Sequence, residues 1–261
     1  MNAQVSKQPE LRKNPLAAAQ KSDRNRKIAI QVAVAAVVVG LIAAIGIGLA
    51  MRKSDSGTAE SFNPTVSFDA SQGAVPANVN SGGAIVVGQP DAKVKVQIVA
   101  DPQCPACAMF ENANHAVLES AVADGTAVAE YNVISFLDKA STNQYSSRAA
   151  NAIYVAGSTD VSKVQKFIGL LFEKQTPEGG AGLTDDQLIQ IATEAGYTDP
   201  AVAQDIKDNK YAAYVQAETQ AVFDAGVKST PSVYVNGTQV QTQQELMGQD
   251  GLKPVIEAAA Q

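Results

Sequence analysis

Cysteine and histidine are scarce in this chain: two Cys and a single His, His115, in 261 residues. A zinc site takes four protein ligands, or three and a water. Three nitrogen and sulfur donors in the whole sequence leave little for a metal centre, and no metal or other cofactor is expected. Positive charge is also scarce beyond the N-terminal fifth. Of the 20 Lys and Arg, nine precede residue 54, leaving 11 against 24 acidic residues from there on, while the whole chain carries −6. An exterior this acidic argues against nucleic acid as a partner, and reads as a solubility feature. No internal repeat is evident. An A-x-A-like cleavage site after the long apolar run is lacking too, which disfavours a removable signal peptide.

The two cysteines stand together, as Cys104-Pro105-Ala106-Cys107. They follow a strand-like run (Val94, Val96, Ile98, Val99) and open a helix-like one. Residues i and i+3 on a first helical turn are about 5 Å apart between Cα atoms, within the window of a disulfide. The first cysteine then lies at a helix N-terminus, where unpaired N–H groups and the helix dipole favour a thiolate. Pro105 suits the first helical position, because its missing N–H has no partner there anyway. Cys104 is thus the candidate nucleophile and Cys107 the candidate resolving thiol, together a redox disulfide. An inert disulfide is the plainer alternative. His115, eight residues past Cys107, is too far along the helix to touch Cys104 and reads as structural or surface.

The N-terminal part reads as a membrane anchor. Residues 1–27 hold seven basic and two acidic residues, and form a basic tail. Ile28 to Met51 runs 24 residues without a charge. As a helix it would be about 36 Å long, enough to cross a bilayer with some tilt. Arg52 and Lys53 close it, and the bias of charge predicts a cytoplasmic N-terminus. Residues 52–83, rich in Ser, Gly, Asn and Ala with Pro64 and Pro76, read as a flexible tether. Within it Phe62, Val66 and Phe68 are candidates to form a short strand or to dock.

Residues 84–261 are long enough for one substantial core. The pattern predicts strands over 84–87 and 94–100, a helix over 103–123, and a strand over 127–134. Helices follow over about 143–155 and 162–172, and a third opens at the Thr184–Gln187 capping box. A fourth is expected to run from Asp199-Pro200 to Ala225, stopped by Gly226. Then come a strand over 232–235, the Asn236-Gly237 hairpin, its partner strand at 238–240 and a terminal helix from Pro254.

Beta-alpha-beta, helices, beta-beta-alpha is the order of an α/β thioredoxin fold with an inserted helical subdomain, here at about 141–226. Particular blocks strengthen the likeness. They are Gly88-Gln89-Pro90-Asp91-Ala92, Asp101-Pro102-Gln103-Cys104-Pro105-Ala106-Cys107 with Phe110-Glu111, Ser147-Arg148-Ala149-Ala150, and Ala225 to Gly237 with its Thr230-Pro231 and Val235-Asn236-Gly237. On these residues the chain resembles the DsbA-like thiol:disulfide oxidoreductases, of the membrane-anchored kind found in Gram-positive bacteria.

The resemblance implies thiol:disulfide exchange outside the cell membrane, most directly oxidation of secreted or cell-envelope proteins. It also implies reoxidation by a quinone-linked membrane partner of the DsbB or vitamin-K-epoxide-reductase type. Thr230-Pro231 is expected to be a cis bond facing the cysteines, with the Thr230 backbone free to pair with an extended substrate. Two departures bear on direction. Many strongly oxidising relatives carry a His before the second cysteine, where this chain has Ala106. Many also bury a carboxylate under the site, where this chain has Ile98 or Gln97. Without the His, the Cys104 thiol is expected to be less acidic, and the disulfide less oxidising, than in those relatives. A reductase or isomerase is the alternative activity, and a non-catalytic thioredoxin-fold binding module the alternative class.

Overall fold

The computed structural model describes residues 62–261. The basic tail at 1–27, the apolar run at 28–51 and the first part of the tether lie outside the described residues. Among the described residues no helix is long and apolar enough to cross a membrane.

Five strands form one mixed sheet in the order β1-β3-β2-β4-β5. They are β1 Ile85–Val87, β2 Val94–Ala100, β3 Ala127–Val133, β4 Ser232–Val235 and β5 Thr238–Gln239. β2 and β3 are parallel, in a register that sets Ile98 beside Tyr131; β1, β4 and β5 are antiparallel additions. The central strands are mostly apolar because both their faces are covered. Val94, Val96, Ile98 and Ala100 point into the main core, and Val99 points into a second cluster with Phe62, Ile134, Val222, Val227 and Tyr234. This is the period-2 alternation of a strand buried on both sides.

Helix α1, Pro105–Ala123, joins β2 to β3 and packs on β3. The insertion lies between β3 and β4. It comprises α2 Tyr145–Thr159, α3 Val164–Glu173, α4 Asp185–Ala195, α5 Pro200–Lys207 and α6 Ala212–Asp224. Helices α7 Gln243–Met247 and α8 Lys253–Ala259 finish the chain. The α4 capping box is complete, with Thr184 and Gln187 bonded in both directions.

The single helix expected from Pro200 to Ala225 is two helices. Asn209 takes a left-handed conformation, φ 49°, between α5 and α6. The break is held by Asn151 of α2, whose Nδ2 donates to Ile206 O (3.3 Å) and whose Oδ1 accepts from Tyr211 N (2.8 Å). The fully buried Asn151 side chain thus satisfies the Tyr211 N–H at the interruption, while Ile206 O also accepts from Asn209 N at 3.2 Å. Helix α7 was not expected; it carries its own capping box, Thr242 with Glu245.

Residues 62–83 are docked on the domain, which is the second of the two options that the sequence left for Phe62, Val66 and Phe68. Phe62 is buried and stacks on Tyr234, centroids 4.7 Å apart. Phe68 meets Tyr214 edge-on. Val79 bridges Ile85, and Asn132 Nδ2 donates to Gly82 O at 2.8 Å. Burying a Phe side chain is worth about 1.5–3 kcal/mol, enough to keep such a segment seated.

Candidate active site

The C-terminal ends of parallel strands β2 and β3 and the N-terminus of α1 meet at one end of the sheet. Cys104 is the N-cap of α1, extended at φ −71° and ψ 119°, with Pro105 following at the first helical position. Both cysteines are free thiols; Cys104 is 6% exposed and Cys107 1%. The expectation that Cys104 is the more accessible sulfur agrees with this, by a small margin.

The two thiols differ in acidity. The Cys104 thiol is lowered to about 6. The Cys107 thiol is the chief cause, with a hydrogen bond to the Cys104 sulfur that outweighs desolvation. The Thr230 side chain and the backbone N–H groups of Cys107 and Ala106 add to it. Burial and the neighbouring Cys104 push the Cys107 thiol well above its ordinary value. One helical turn therefore makes one sulfur a thiolate at neutral pH and keeps the other protonated.

The loop before β4 closes over this pair. Cys104 Sγ lies 3.5 Å from the Thr230 carbonyl oxygen, and the Thr230–Pro231 bond is cis. The structure thus brings Cys104, Cys107 and Thr230 together across more than 120 residues of sequence.

A buried carboxylate is present at the site, although not where the likeness led one to look for it. Ile98 is an apolar core residue, and Gln97 is buried in the same strand. The carboxylate is Asp101, fully buried and three residues before Cys104. Its Oδ1 accepts from Ser146 Oγ (2.6 Å) and Gln103 N (2.8 Å), and its Oδ2 from Leu137 N (2.8 Å). Burial raises it to about 6 against these donors. Asp101 therefore ties the active-site turn to α2 and to the loop after β3. A second clamp is reciprocal. Gln175 Nε2 donates to the carbonyls of Pro102 (2.8 Å) and Cys104 (3.0 Å), and Gln103 Nε2 donates to Thr176 O (3.0 Å). The sequence held one signal for Asp101, an acidic residue directly after the apolar Ile98-Val99-Ala100 end of a strand; the partners Ser146 and Gln175 gave none.

His115 lies two turns beyond Cys107 on α1, 27% exposed at its side chain. Its Nδ1 is 2.7 Å from Oε1 of Glu111, which is buried. The hydrogen bond to the Glu111 carboxylate raises its pKa above the ordinary value, in spite of partial burial. Arg148 of the Ser147–Ala150 block is structural: it pairs with Asp185 and donates from Nε to the Asn143 carbonyl at 2.8 Å. Among the described residues no group of three or more His, Cys, Asp and Glu side chains is arranged to hold a metal ion.

The sequence model of the family described as Thioredoxin matches residues 80–258. The chain belongs to the thioredoxin family. Two solved structures place it further. It is 32% identical to oxidised DsbA of Mycobacterium tuberculosis, over 68% of this chain and 97% of that one, with a TM-score of 0.56. It is 30% identical to the disulfide bond oxidoreductase DsbG of the same organism, over 70% and 94%, with a TM-score of 0.56. It is thus a thiol:disulfide oxidoreductase of the DsbA-like kind. BdbD of Bacillus subtilis, at 23% identity and a TM-score of 0.58, shares the fold. Among curated relatives, the serine/threonine-protein kinase PknE of M. tuberculosis is 32% identical over 171 residues. The aligned part is 62% of this chain and 30% of the kinase, so the chain spans less than a third of that relative. The likeness is one of a domain, and brings no kinase activity with it.

Proposed function

We propose that the protein oxidises thiols of secreted or cell-envelope proteins at the outer face of a cell membrane. Residues 28–51 would be its single-pass anchor and the N-terminus would be cytoplasmic. Cys104 is the nucleophile and leaving group, Cys107 the resolving thiol, and the Thr230 backbone the edge on which an extended substrate pairs. The observation that carries this reading is the Cys104 sulfur at the α1 N-terminus, 3.5 Å from the Thr230 carbonyl, with the shielded Cys107 beneath it.

A substrate thiolate attacks Cys104 Sγ of the oxidised pair, the Cys104–Cys107 bond breaks, and Cys107 leaves and takes up a proton. A second substrate thiolate attacks the substrate sulfur of the mixed disulfide. Cys104 then leaves as a thiolate, which is a good leaving group because its pKa is about 6. Two electrons have passed from substrate to enzyme. Return to the disulfide requires an oxidant, for which a quinone-linked membrane protein of the DsbB or vitamin-K-epoxide-reductase type is the proposed partner. The basic bias before residue 28 supports the topology, and an extracytoplasmic site permits disulfides.

Ala106, with no imidazole to hold the thiolate, favours the second reading, a reductase or isomerase. Trapping tests the roles: Cys107→Ser should accumulate covalent complexes with substrate proteins through Cys104, and Cys104→Ser should abolish them. The reverse pattern exchanges the roles. Refolding of a reduced, denatured test protein by the oxidised enzyme tests direction. No gain over buffer, with a potential near that of thioredoxin at about −270 mV, moves the assignment to a reductase. Protease added to intact spheroplasts should remove the folded domain; protection would overturn the topology.

A further inference from the structure

Thr230 and Pro231 stand in a loop that is gripped at its two ends. Lys228 and Ser229 are exposed and Thr230 and Pro231 half-buried, whereas Val227 before them and Ser232 after them are buried. At those ends lies a small apolar cluster, separate from the main core. Its six buried members are Phe62, Val99, Ile134, Val222, Val227 and Tyr234. Val227 opens the loop, Tyr234 lies in the strand that leaves it, and Phe62 alone comes from the chain ahead of the sheet. A segment with few buried apolar contacts of its own takes its direction from what packs at its ends.

Few residues separate Phe62 from the active site. Its ring lies flat on Tyr234, with centroids 4.7 Å apart and planes at 10°. Tyr234 shares a face of β4 with Ser232, two residues before it. Ser232 is paired with Val99 of the same cluster, and its Oγ donates to the Ser229 carbonyl at 2.8 Å, which closes the loop. The next carbonyl, that of Thr230, is the one 3.5 Å from Cys104 Sγ. The rest of the segment is seated elsewhere. Phe68 meets Tyr214, at the opposite end of α6 from Val222, and packs on the main core, while Asn132 Nδ2 holds Gly82 O.

We propose that Phe62 is a positioning residue of the substrate edge: packed in one cluster with Val227 and Tyr234, it fixes the loop that presents the Thr230 backbone beside Cys104. The proposal rests on the pairing role of Thr230 given above. Phe62 touches no reacting atom and acts through β4 and the loop. An extended peptide must meet the Thr230 backbone in register while its sulfur meets Cys104, so a loop free to tilt loses the pairing. A small thiol has no backbone to pair, and is indifferent to the loop. Specificity for peptide over small thiol is therefore set in part by a side chain outside the sheet and its helices.

The test mixes the oxidised full chain with a reduced two-cysteine peptide or with dithiothreitol, each of which is oxidised as Cys104–Cys107 is reduced. Acid quenching, alkylation and mass spectrometry count the enzyme disulfide that remains. Phe62→Ala should lower the rate constant for the peptide about three- to tenfold, the equivalent of one backbone hydrogen bond. The loss should appear in the peptide concentration needed for half the maximal rate, and the rate with dithiothreitol should stay within about twofold. Phe62→Tyr, which keeps the ring, should restore the peptide rate. Phe68→Ala loosens the same segment away from the loop and should leave the ratio of the two rates as in the wild type. An unchanged ratio in Phe62→Ala, or an equal fall in Phe68→Ala, overturns the proposal. Should Phe62→Ala fail to fold, Phe62→Val decides by the same ratio. A peptide N-methylated at the residues flanking its cysteines tests the reading beneath: a wild type that oxidises it as fast as the plain peptide overturns the Thr230 pairing, and the role of Phe62 with it. A wild type that discriminates, beside a Phe62→Ala ratio that does not move, overturns Phe62 alone.

Discussion

The acidity of Cys104 depends first on Cys107, which makes a sharp prediction. The largest cause of the lowered Cys104 pKa is the hydrogen bond from the Cys107 thiol to the Cys104 sulfur. Cys107→Ala removes that donor and leaves Thr230 and the helix N–H groups in place. A hydrogen bond to a charged group is worth about 1.5–3 kcal/mol, which is about one to two pH units. The Cys104 pKa should therefore rise from about 6 to roughly 7–8. At pH 7 the thiolate fraction falls from about nine-tenths to between about a half and a tenth. Alkylation by iodoacetamide across pH 4–10, followed by mass spectrometry, reads this directly. The half-maximal pH should move up, and the rate at pH 7 should drop roughly two- to ninefold. Cys107→Ser keeps an O–H donor and should recover most of the shift. A Cys107→Ala variant whose midpoint stays within about 0.3 units of the wild type refutes the reasoning, and assigns the acidity to Thr230 and the helix terminus.

Other residues give further outcomes. Because the Cys104 pKa is lowered below its unfolded value, the reduced form gains stability above the ordinary thiol pKa and loses it as pH falls through about 6; the melting temperature of the reduced protein minus that of the oxidised one should thus grow from pH 6 to pH 9. Glu218 is fully buried with one carboxylate oxygen unpartnered, and burial raises it to about 8, so its cost is absent below its ordinary pKa and grows as pH rises towards 8. Glu218→Gln should raise stability by up to about 3 kcal/mol at pH 7 and by little at pH 5, as measured by urea titration. Asn151→Ala should cost about 1–3 kcal/mol, because it strands the buried Tyr211 N–H at the break between α5 and α6. Asp101→Ala, which strands three donors, should cost about 3–5 kcal/mol by the same assay.

The sequence disclosed the parts of this fold that are local. Strand alternation placed β2 and β3, the capping box at Thr184 placed α4, and the spacing of Cys104 and Cys107 placed the helix N-terminus beneath them. It failed where a partner is distant in the chain. The helix from Pro200 reads as continuous until Asn151, some 60 residues earlier, takes up the groups at the break. Glycine, serine and alanine make residues 62–83 resemble a free tether, yet Phe62 finds the ring of Tyr234 only once β4 is in place. The likeness to relatives points to the strand at Ile98 or Gln97 for a buried carboxylate, and neither position holds one. The chain supplies Asp101 and Glu111, whose burial depends on α2 and α3 packing over the site.

The contrast between the two thiols also bears on direction. At pH 7 a thiol at about 6 in place of one near 9 stabilises the reduced state by roughly 1.4 kcal/mol, or about 30 mV in a two-electron couple. That acidity arises without an imidazole at position 106, from a neighbouring thiol, a threonine and a helix end. It lies between the thiols of thioredoxin, near 7, and of DsbA, near 3.5. A potential between about −270 and −120 mV, the values of those two proteins, follows. Direction then turns on what renews the pair as much as on the pair itself. With the intrinsic bias this modest, a membrane oxidant would drive the enzyme as an oxidase and a membrane reductant would drive it backwards. Equilibration of the full chain with glutathione at pH 7 and again at pH 5.5 separates the acidity of Cys104 from all other contributions. The potential of a couple tuned by a thiol near 6 should depart from a simple two-proton slope between these pH values, whereas a straight slope would remove Cys104 ionisation from the account.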